Sequence, residues 1–158
     1  MKINITENIK ISMRGYTIIN VNAYWEENGR RYAVKACDGL KIDSNDKEVI
    51  LRGSYDGRNV EWKLCDKGNY ITAELTIQSK NEVYIDALCA FRGEIKPEEA
   101  NQKFLKVPFD NDDWVKFESK EYSKSEMGYG VSAVYNQNGA LIIGALEYRF
   151  SKYRIPMH

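Results

Sequence analysis

The chain has almost no histidine: of its 158 residues only one is histidine, and that is the last, His158. Nucleophilic hydrolases of the Ser-His-Asp and Cys-His types need a general base, which histidine supplies. Histidine is also one of the usual ligands of zinc. The composition therefore argues against these two classes of hydrolase and against the usual zinc sites.

Cysteine is also scarce, and Cys37, Cys65 and Cys89 are widely spaced. They form no C-x-x-C unit, so neither a metal site nor a redox site is indicated. A Cys37–Cys65 disulfide remains open for an oxidising compartment, but we expect three free thiols. Cys89 is expected to be a small core residue, because it belongs to an apolar set with a period of two. The other members of that set are Val83, Ile85, Ala87 and Phe91.

An excess of either charge is absent, since 23 Lys and Arg balance 23 Asp and Glu. Nucleic-acid-binding proteins usually carry a basic excess, so we expect no nucleic acid partner. No apolar run approaches the roughly 20 residues that cross a bilayer, so no membrane partner is expected. Phosphate-binding glycine motifs are missing too, and no cofactor is expected. Residues 1–6 lack the apolar segment of a signal peptide, which leaves localisation open, including export within a larger bacterial parent.

Turn signals recur at short intervals and divide the chain into strands. The pairs Asn28-Gly29 and Asp56-Gly57 are typical of tight hairpin turns. Apolar and polar residues alternate over 70–79, which predicts a half-buried strand of an antiparallel sheet. A helical period is limited to one turn at 97–102, beginning at Pro97. The expected strands are 17–25, 31–37, 47–54, 59–65, 70–79, 83–92, 130–135 and 140–148.

This pattern predicts an all-β fold, an antiparallel β-sandwich or supersandwich with little or no helix. The length suits one domain over residues 1–158 with a sizeable core. Trp62 is expected in the core because it shares a strand face with Val60 and Leu64. The strand at 83–92 is apolar on both faces apart from one Asp, so we expect it to be central. The two sheets are expected to pack over Ile71, Leu75, Ile77, Val83, Ile85, Val131 and Ile143.

The segment 104–115, FLKVPFDNDDWV, concentrates acidic and amide side chains between two aromatic rings. Such groups can hydrogen-bond a hydroxylated ligand while a ring covers its apolar face. The competing interpretation is a polar turn, because Asp and Asn also bond their own backbone. Loops between strands often carry binding residues, so we predict the site for carbohydrate or for a neighbouring domain here. The candidates are Asp110, Asn111, Asp112, Asp113 and Trp114, with Trp25 and Tyr16 as further candidates at expected strand ends.

Together with the segment 128–148, GYGVSAVYNQNGALIIGALEY, this segment resembles the N-terminal β-supersandwich domain of α-galactosidase-like bacterial glycoside hydrolases. Those proteins carry a VPFDND segment followed by a hydrophobic residue and Val. A hairpin then ends in a glycine-containing strand of the vIGs-E type. The resemblance covers roughly the last third of the chain. It departs after IGALE, where such proteins often read Trp-Lys-Thr-Gly-Ile and this chain reads FSKYRI at 150–155.

The resemblance implies a non-catalytic ancillary domain of a glycoside hydrolase that acts on α-linked sugars. In those enzymes the catalytic carboxylates lie in a downstream (β/α)₈ barrel, which takes roughly 250 residues. We therefore expect this chain to be the N-terminal part of a larger glycosidase and to hold no catalytic residue itself. Its implied partners are that barrel and an oligo- or polysaccharide. A free-standing carbohydrate-binding module and a small independent enzyme remain as alternatives.

Glycoside hydrolysis by this chain alone would need two carboxylates across the scissile bond. The neighbouring acidic pairs are Glu26/Glu27, Glu98/Glu99 and Asp110/Asp112. The first two are expected at a turn and at a helix start, where acidic side chains are normally solvated. The Asp110–Asp113 loop is not followed by a full set of oxygen ligands for Ca²⁺. We therefore expect neither catalysis nor a metal site.

Overall fold

The computed structural model describes residues 2–5, 8–13, 16–97, 103–106, 118–121, 126–129, 131–136, 139–144 and 152–155. The chain divides into two units, Met1–Lys96 and Pro97–His158. Within the described residues all sheets are antiparallel and no α-helix occurs, only the 3₁₀ turn Val34–Ala36. The predicted all-β, antiparallel and sandwich-like fold class is confirmed. The assignment of residues 1–158 to one domain stays a prediction.

The described part of the first unit contains nine strands in two sheets. In the first sheet the order is β1-β2-β3-β4, and β9 also pairs with β3. In the second sheet the order is β5-β6-β7-β8, so each strand pairs with its neighbour in sequence. The strands are β1 (Lys2–Ile5), β2 (Ile9–Met13), β3 (Tyr16–Glu27), β4 (Arg30–Ala33), β5 (Asp38–Ser44), β6 (Glu48–Tyr55), β7 (Arg58–Asp66), β8 (Ile71–Gln78) and β9 (Ala87–Pro97).

Both predicted tight turns are confirmed as two-residue hairpin turns. Asn28 and Gly29 join β3 to β4 with φ angles of 50° and 71°. Asp56 and Gly57 join β6 to β7 with φ angles of 49° and 73°. Positive φ at both central residues is the type I′ pattern, whose twist matches that of the flanking strands. Asn, Asp and Gly tolerate this conformation, which is why these dipeptides fix the hairpins.

A β-bulge at Asn20 reverses which side chains of β3 face inward. Opposite Ile9 to Ile11 of β2, strand β3 runs from Val21 to Ile18 and so has one residue more. Asn20 occupies the left-handed region with φ of 54°, and its Nδ2 donates to Glu94 Oε1 at 3.1 Å. Because of the extra residue, Ile18 and Val21 are both buried although they are three positions apart.

This bulge predicts a sharp difference between two substitutions of Asn20. Asn20→Gly should change the free energy of unfolding little, because glycine adopts positive φ freely. Asn20→Val should cost roughly 1–2 kcal/mol, because a β-branched residue is strained there. Urea denaturation of both variants is the measurement. Equal losses in the two variants would assign the effect to the lost Asn20–Glu94 hydrogen bond instead.

The core of the first unit lies between its two sheets, and its position differs in part from the prediction. Trp62, Val60 and Leu64 are buried as predicted. Ile71, Leu75, Ile77, Val83 and Ile85 are wrong as core residues, since all are partly exposed. For Val131 and Ile143 the side chains lie outside the described part of the structure. The other buried apolar residues of this unit are Ile9, Ile11, Tyr16, Ile18, Val21, Ala23, Trp25, Val34, Cys37, Val49, Leu51 and Cys65.

The region predicted as a central strand at 83–92 differs most. The strand β9 begins only at Ala87, and Leu88 is 57% exposed. Cys89 is partly exposed rather than a core residue, and all three cysteines are free. Pro97 ends strand β9 instead of starting a helix. The rest of the predicted helical turn, 98–102, lies outside the described residues.

The described part of the second unit contains six strands. The first of its sheets has the order β11-β10-β13-β14, and the second pairs β12 with β15. The predicted hairpin around residues 136–139 is confirmed, with Val131 opposite Gly144 and Asn136 opposite Gly139. The strands are β10 (Lys103–Lys106), β11 (Glu118–Glu121), β12 (Glu126–Tyr129), β13 (Val131–Asn136), β14 (Gly139–Gly144) and β15 (Lys152–Ile155).

Candidate functional site

Three connections of the first unit meet at one end of its sandwich. The connection 79–86 leaves β8 beside the 56–57 turn, since Gln78 is paired with Asn59. At Asp86 the connection reaches the 28–29 turn, where the N–H of Asp86 donates to Glu26 O at 2.8 Å. The carboxylate of Asp86 accepts from Gly29 N at 3.3 Å. We call this region, residues 27–30, 55–58 and 79–86, the turn end.

A buried ion pair joins the two sheets beneath the turn end. Glu27 is the last residue of β3 and Arg58 is the first of β7, with relative exposures of 7% and 9%. Glu27 Oε1 accepts hydrogen bonds from Arg58 Nη1 and from Trp25 Nε1, the latter at 2.8 Å. The bond to Glu27 raises the pKa of Arg58, which therefore stays charged. One carboxylate oxygen thus satisfies two buried donors from different sheets.

Three aromatic rings pack beside this pair. Tyr32 of β4 stacks on Trp25 with ring centres 5.6 Å apart, and Tyr55 of β6 meets Trp25 edge-on at 5.5 Å. The rings of Tyr32 and Tyr55 are 4.7 Å apart. The hydrogen bond that Tyr55 makes with Tyr32, together with burial, raises the pKa of Tyr55, so its phenol stays neutral at physiological pH. Because these rings cover one another, they serve mainly as packing between the sheets.

The surface of the turn end offers a different set of groups. Tyr84 is 80% exposed, the highest value among the exposed large apolar side chains of the described residues. It lies two positions before Asp86, and the side chain of Asp56 on the neighbouring turn is 77% exposed. An exposed phenol ring beside carboxylates can stack on an apolar ligand face while the carboxylates accept hydroxyl hydrogen bonds.

The residues predicted as a site have different outcomes. Asp110, Asn111, Asp112, Asp113 and Trp114 all lie outside the described residues, so their role stays a prediction. Trp25, a further candidate for the site, is fully buried and packs against the rings of Tyr32 and Tyr55. Tyr16 is also buried, at 3% exposure. Neither ring can cover a ligand from the surface.

The turn end was missed because its residues look like surface charge in the sequence. Glu27 was expected to be solvated, like Glu26, and this is wrong: Glu27 is buried, whereas Glu26 pairs with Arg31 at 2.6 Å on a partly exposed face. A signal did exist in the alternation of β3. After the bulge, Val21, Ala23 and Trp25 face inward, and the same parity places Glu27 inward.

Neither a metal site nor a membrane span is found in the described part of the chain. No group of three or more His, Cys, Asp or Glu side chains there is close enough to hold a metal ion. None of its helical segments has the length and apolar character needed to span a membrane. Comparison with known proteins gives no match to a family model, a curated protein or a solved structure.

Proposed function

We propose that this chain is a non-catalytic ancillary domain of a glycoside hydrolase of the α-galactosidase type. In this role it packs on a downstream (β/α)₈ barrel and shapes one side of the sugar-binding cleft. The proposal rests on the sequence resemblance of the segments 104–115 and 128–148, together with the all-β fold. Catalysis belongs to the barrel in this proposal, and the chain contributes surface and stability.

One observation on the fold supports the proposal beyond the sequence. The two segments that carry the resemblance contribute neighbouring strands to a single sheet of the second unit. Strand β10 pairs with β13, with Phe104 opposite Val134 and Leu105 opposite Ala133, and β13 continues into the hairpin with β14. Two motifs that belong to one domain type are expected to lie together in space. The segments 104–115 and 128–148 therefore contribute strands to one sheet, as expected for two motifs of one domain.

The coding sequence after His158 provides the simplest test. A continuous reading frame of roughly 250 residues or more, with the strand–helix alternation of a barrel, is expected. A stop codon directly after His158 in the native gene would contradict the proposal. In the intact parent, Asp112→Ala with Trp114→Ala should lower turnover and leave the melting temperature of this domain nearly unchanged.

A free-standing carbohydrate-binding module is the second candidate, and the exposed ring of Tyr84 favours it. Binding residues commonly lie on loops that a rigid β-scaffold positions. The connection 79–86 is such a loop, and a backbone hydrogen bond at Asp86 attaches it to β3. Under this alternative the isolated chain binds sugar, whereas a purely packing domain does not.

Tyr84→Ala is the prediction that separates the two candidates. If the turn end binds sugar, this substitution should weaken binding by roughly 2- to 12-fold, since ring stacking contributes roughly 0.5–1.5 kcal/mol. The melting temperature should not change, because the ring is 80% exposed. Calorimetry with galacto-oligosaccharides is the measurement. Tyr70→Ala is the matched control, because Tyr70 is 56% exposed and follows β7 at the opposite end of that strand from the turn end; equal losses would argue against a specific site.

A further inference from the structure

The outer face of the first sheet carries two arginines around one tyrosine. Tyr24 of β3 is partly exposed, and the guanidinium of Arg31 lies 4.1 Å from the centre of its ring. The guanidinium of Arg92, from β9, lies 5.9 Å from the same centre. Three neighbouring strands thus each contribute one side chain. We call Tyr24, Arg31 and Arg92 the arginine patch.

The two arginines differ in their ion pairing. Arg31 donates from Nε and Nη2 to Glu26 Oε1, at 2.9 and 2.6 Å, and its charge is balanced there. Arg92 has no carboxylate within ion-pair distance among the residues that the structure describes. The nearest acid on its strand, Glu94, accepts a hydrogen bond from Asn20 instead. Within the described residues Arg92 therefore makes no ion pair, although the carboxylate of Glu94 lies two positions away on the same strand.

The thiol and the phenol beside the two guanidiniums are uncharged. Burial raises the pKa of the Cys89 thiol, so no thiolate balances the charge of Arg92. Burial and the nearby Cys89 raise the pKa of Tyr24, so its phenol keeps its proton. A guanidinium binds a carboxylate through two parallel hydrogen bonds. The arrangement suits a planar anion better than a neutral group.

We propose that the arginine patch binds the carboxylate of an acidic saccharide such as a uronate. This inference goes beyond the proposed ancillary role, and it rests on the part of that proposal that concerns contact with carbohydrate. The position on the sheet supports a saccharide, because Glu26 connects the arginine patch with the turn end. Its side chain pairs with Arg31, and its backbone carbonyl accepts from Asp86 N. A saccharide that extends along β3 from Tyr24 towards Glu26 therefore runs from the arginine patch to the turn end.

The test compares two trisaccharides of equal length, trigalacturonate and neutral trigalactose, by calorimetry with the full chain of residues 1–158. Tighter binding of trigalacturonate is expected. Arg92→Ala should reduce that preference about tenfold, since one charge-assisted hydrogen-bond pair contributes about 1.4 kcal/mol or more. Arg92→Lys keeps the charge and loses the planar fork, so an intermediate preference is expected. Lys41→Ala, which removes the same charge from an exposed position on β5, should leave the preference unchanged.

Several outcomes would overturn the inference. Equal affinity for the two saccharides, or an unchanged preference in Arg92→Ala with a native circular dichroism spectrum, would remove the arginine patch as a carboxylate site. Binding of tri-glutamate as tight as that of trigalacturonate would make it a site for acidic peptides. Binding of neither saccharide would overturn this inference and the binding-module alternative together. The ancillary role would then still be decided separately by the reading frame after His158.

Discussion

Replacing Arg58 by Met is expected to lower the free energy of unfolding by roughly 3 kcal/mol or more. The substitution leaves the carboxylate of Glu27 buried at 7% exposure without its charged partner. Trp25 Nε1 remains the only hydrogen-bond donor that the structure describes for this carboxylate in the variant. Burial of an unpaired charge is among the most costly changes in a folded protein. Chemical denaturation by urea, with the slope of the transition checked for constancy, is the measurement.

A double-mutant cycle separates the pair from simple loss of packing. Glu27→Gln keeps an acceptor for Trp25 Nε1, and Glu27→Gln with Arg58→Met removes both charges together. The double variant should be destabilised by clearly less than the sum of the two single losses, because no charge is left unpaired. Arg52→Met is the matched control: Arg52 pairs with Asp43 and Glu61 on the exposed surface, so little change is expected. Additive losses would show that the two side chains act independently.

Trp62→Ala is expected to be the most destabilising single substitution in the core of the first unit, with a loss of roughly 3–5 kcal/mol. The side chain is fully buried, and its Nε1 donates to Ala90 O at 2.8 Å. Trp62 belongs to β7 and Ala90 to β9, so this contact connects the two sheets. The substitution removes a large apolar volume and also leaves a partly buried carbonyl without this donor.

Trp62→Phe divides these two contributions. Phenylalanine keeps most of the apolar volume and lacks the N–H, so a loss of roughly 1–2 kcal/mol is expected from the unpaired carbonyl and the smaller ring. Thermal and urea denaturation of both variants against the parent chain would measure the two effects. A Phe variant as unstable as the Ala variant would assign the stability to the hydrogen bond. A Phe variant equal to the parent would assign it to packing alone.

The sequence predicted the fold class and the hairpins because both depend on local chemistry. Asn28-Gly29 and Asp56-Gly57 adopt positive φ where few other residues do so without strain. Trp62 was placed correctly because β7 alternates regularly between buried and less buried positions. Local patterns of this kind do not depend on distant parts of the chain.

The predictions failed where structure depends on pairing across the sequence. Ile71, Leu75 and Ile77 alternate as a core strand does, but β8 has only β7 as a partner in the described part of its sheet. Its apolar face is therefore only partly covered. The burial of Glu27 was missed for a related reason, because Arg58 comes close only when two separate hairpins pack together. The predicted ligand loop at Asp110–Asp113 lies outside the described residues, so it stays a prediction.

The pairing of β9 with β3 has a consequence for the newly made chain. The sheet of β5 to β8 is built from consecutive hairpins, and hairpins form within about 1–10 μs. Strand β3 must instead wait for β9, which is synthesised only after that whole sheet. At a synthesis rate of roughly 5–20 residues per second, the edge of β3 that pairs with β9 stays open for several seconds. An open edge can pair with strands of other chains, so nascent chains that stall after β8 should be the species most prone to aggregate on the ribosome.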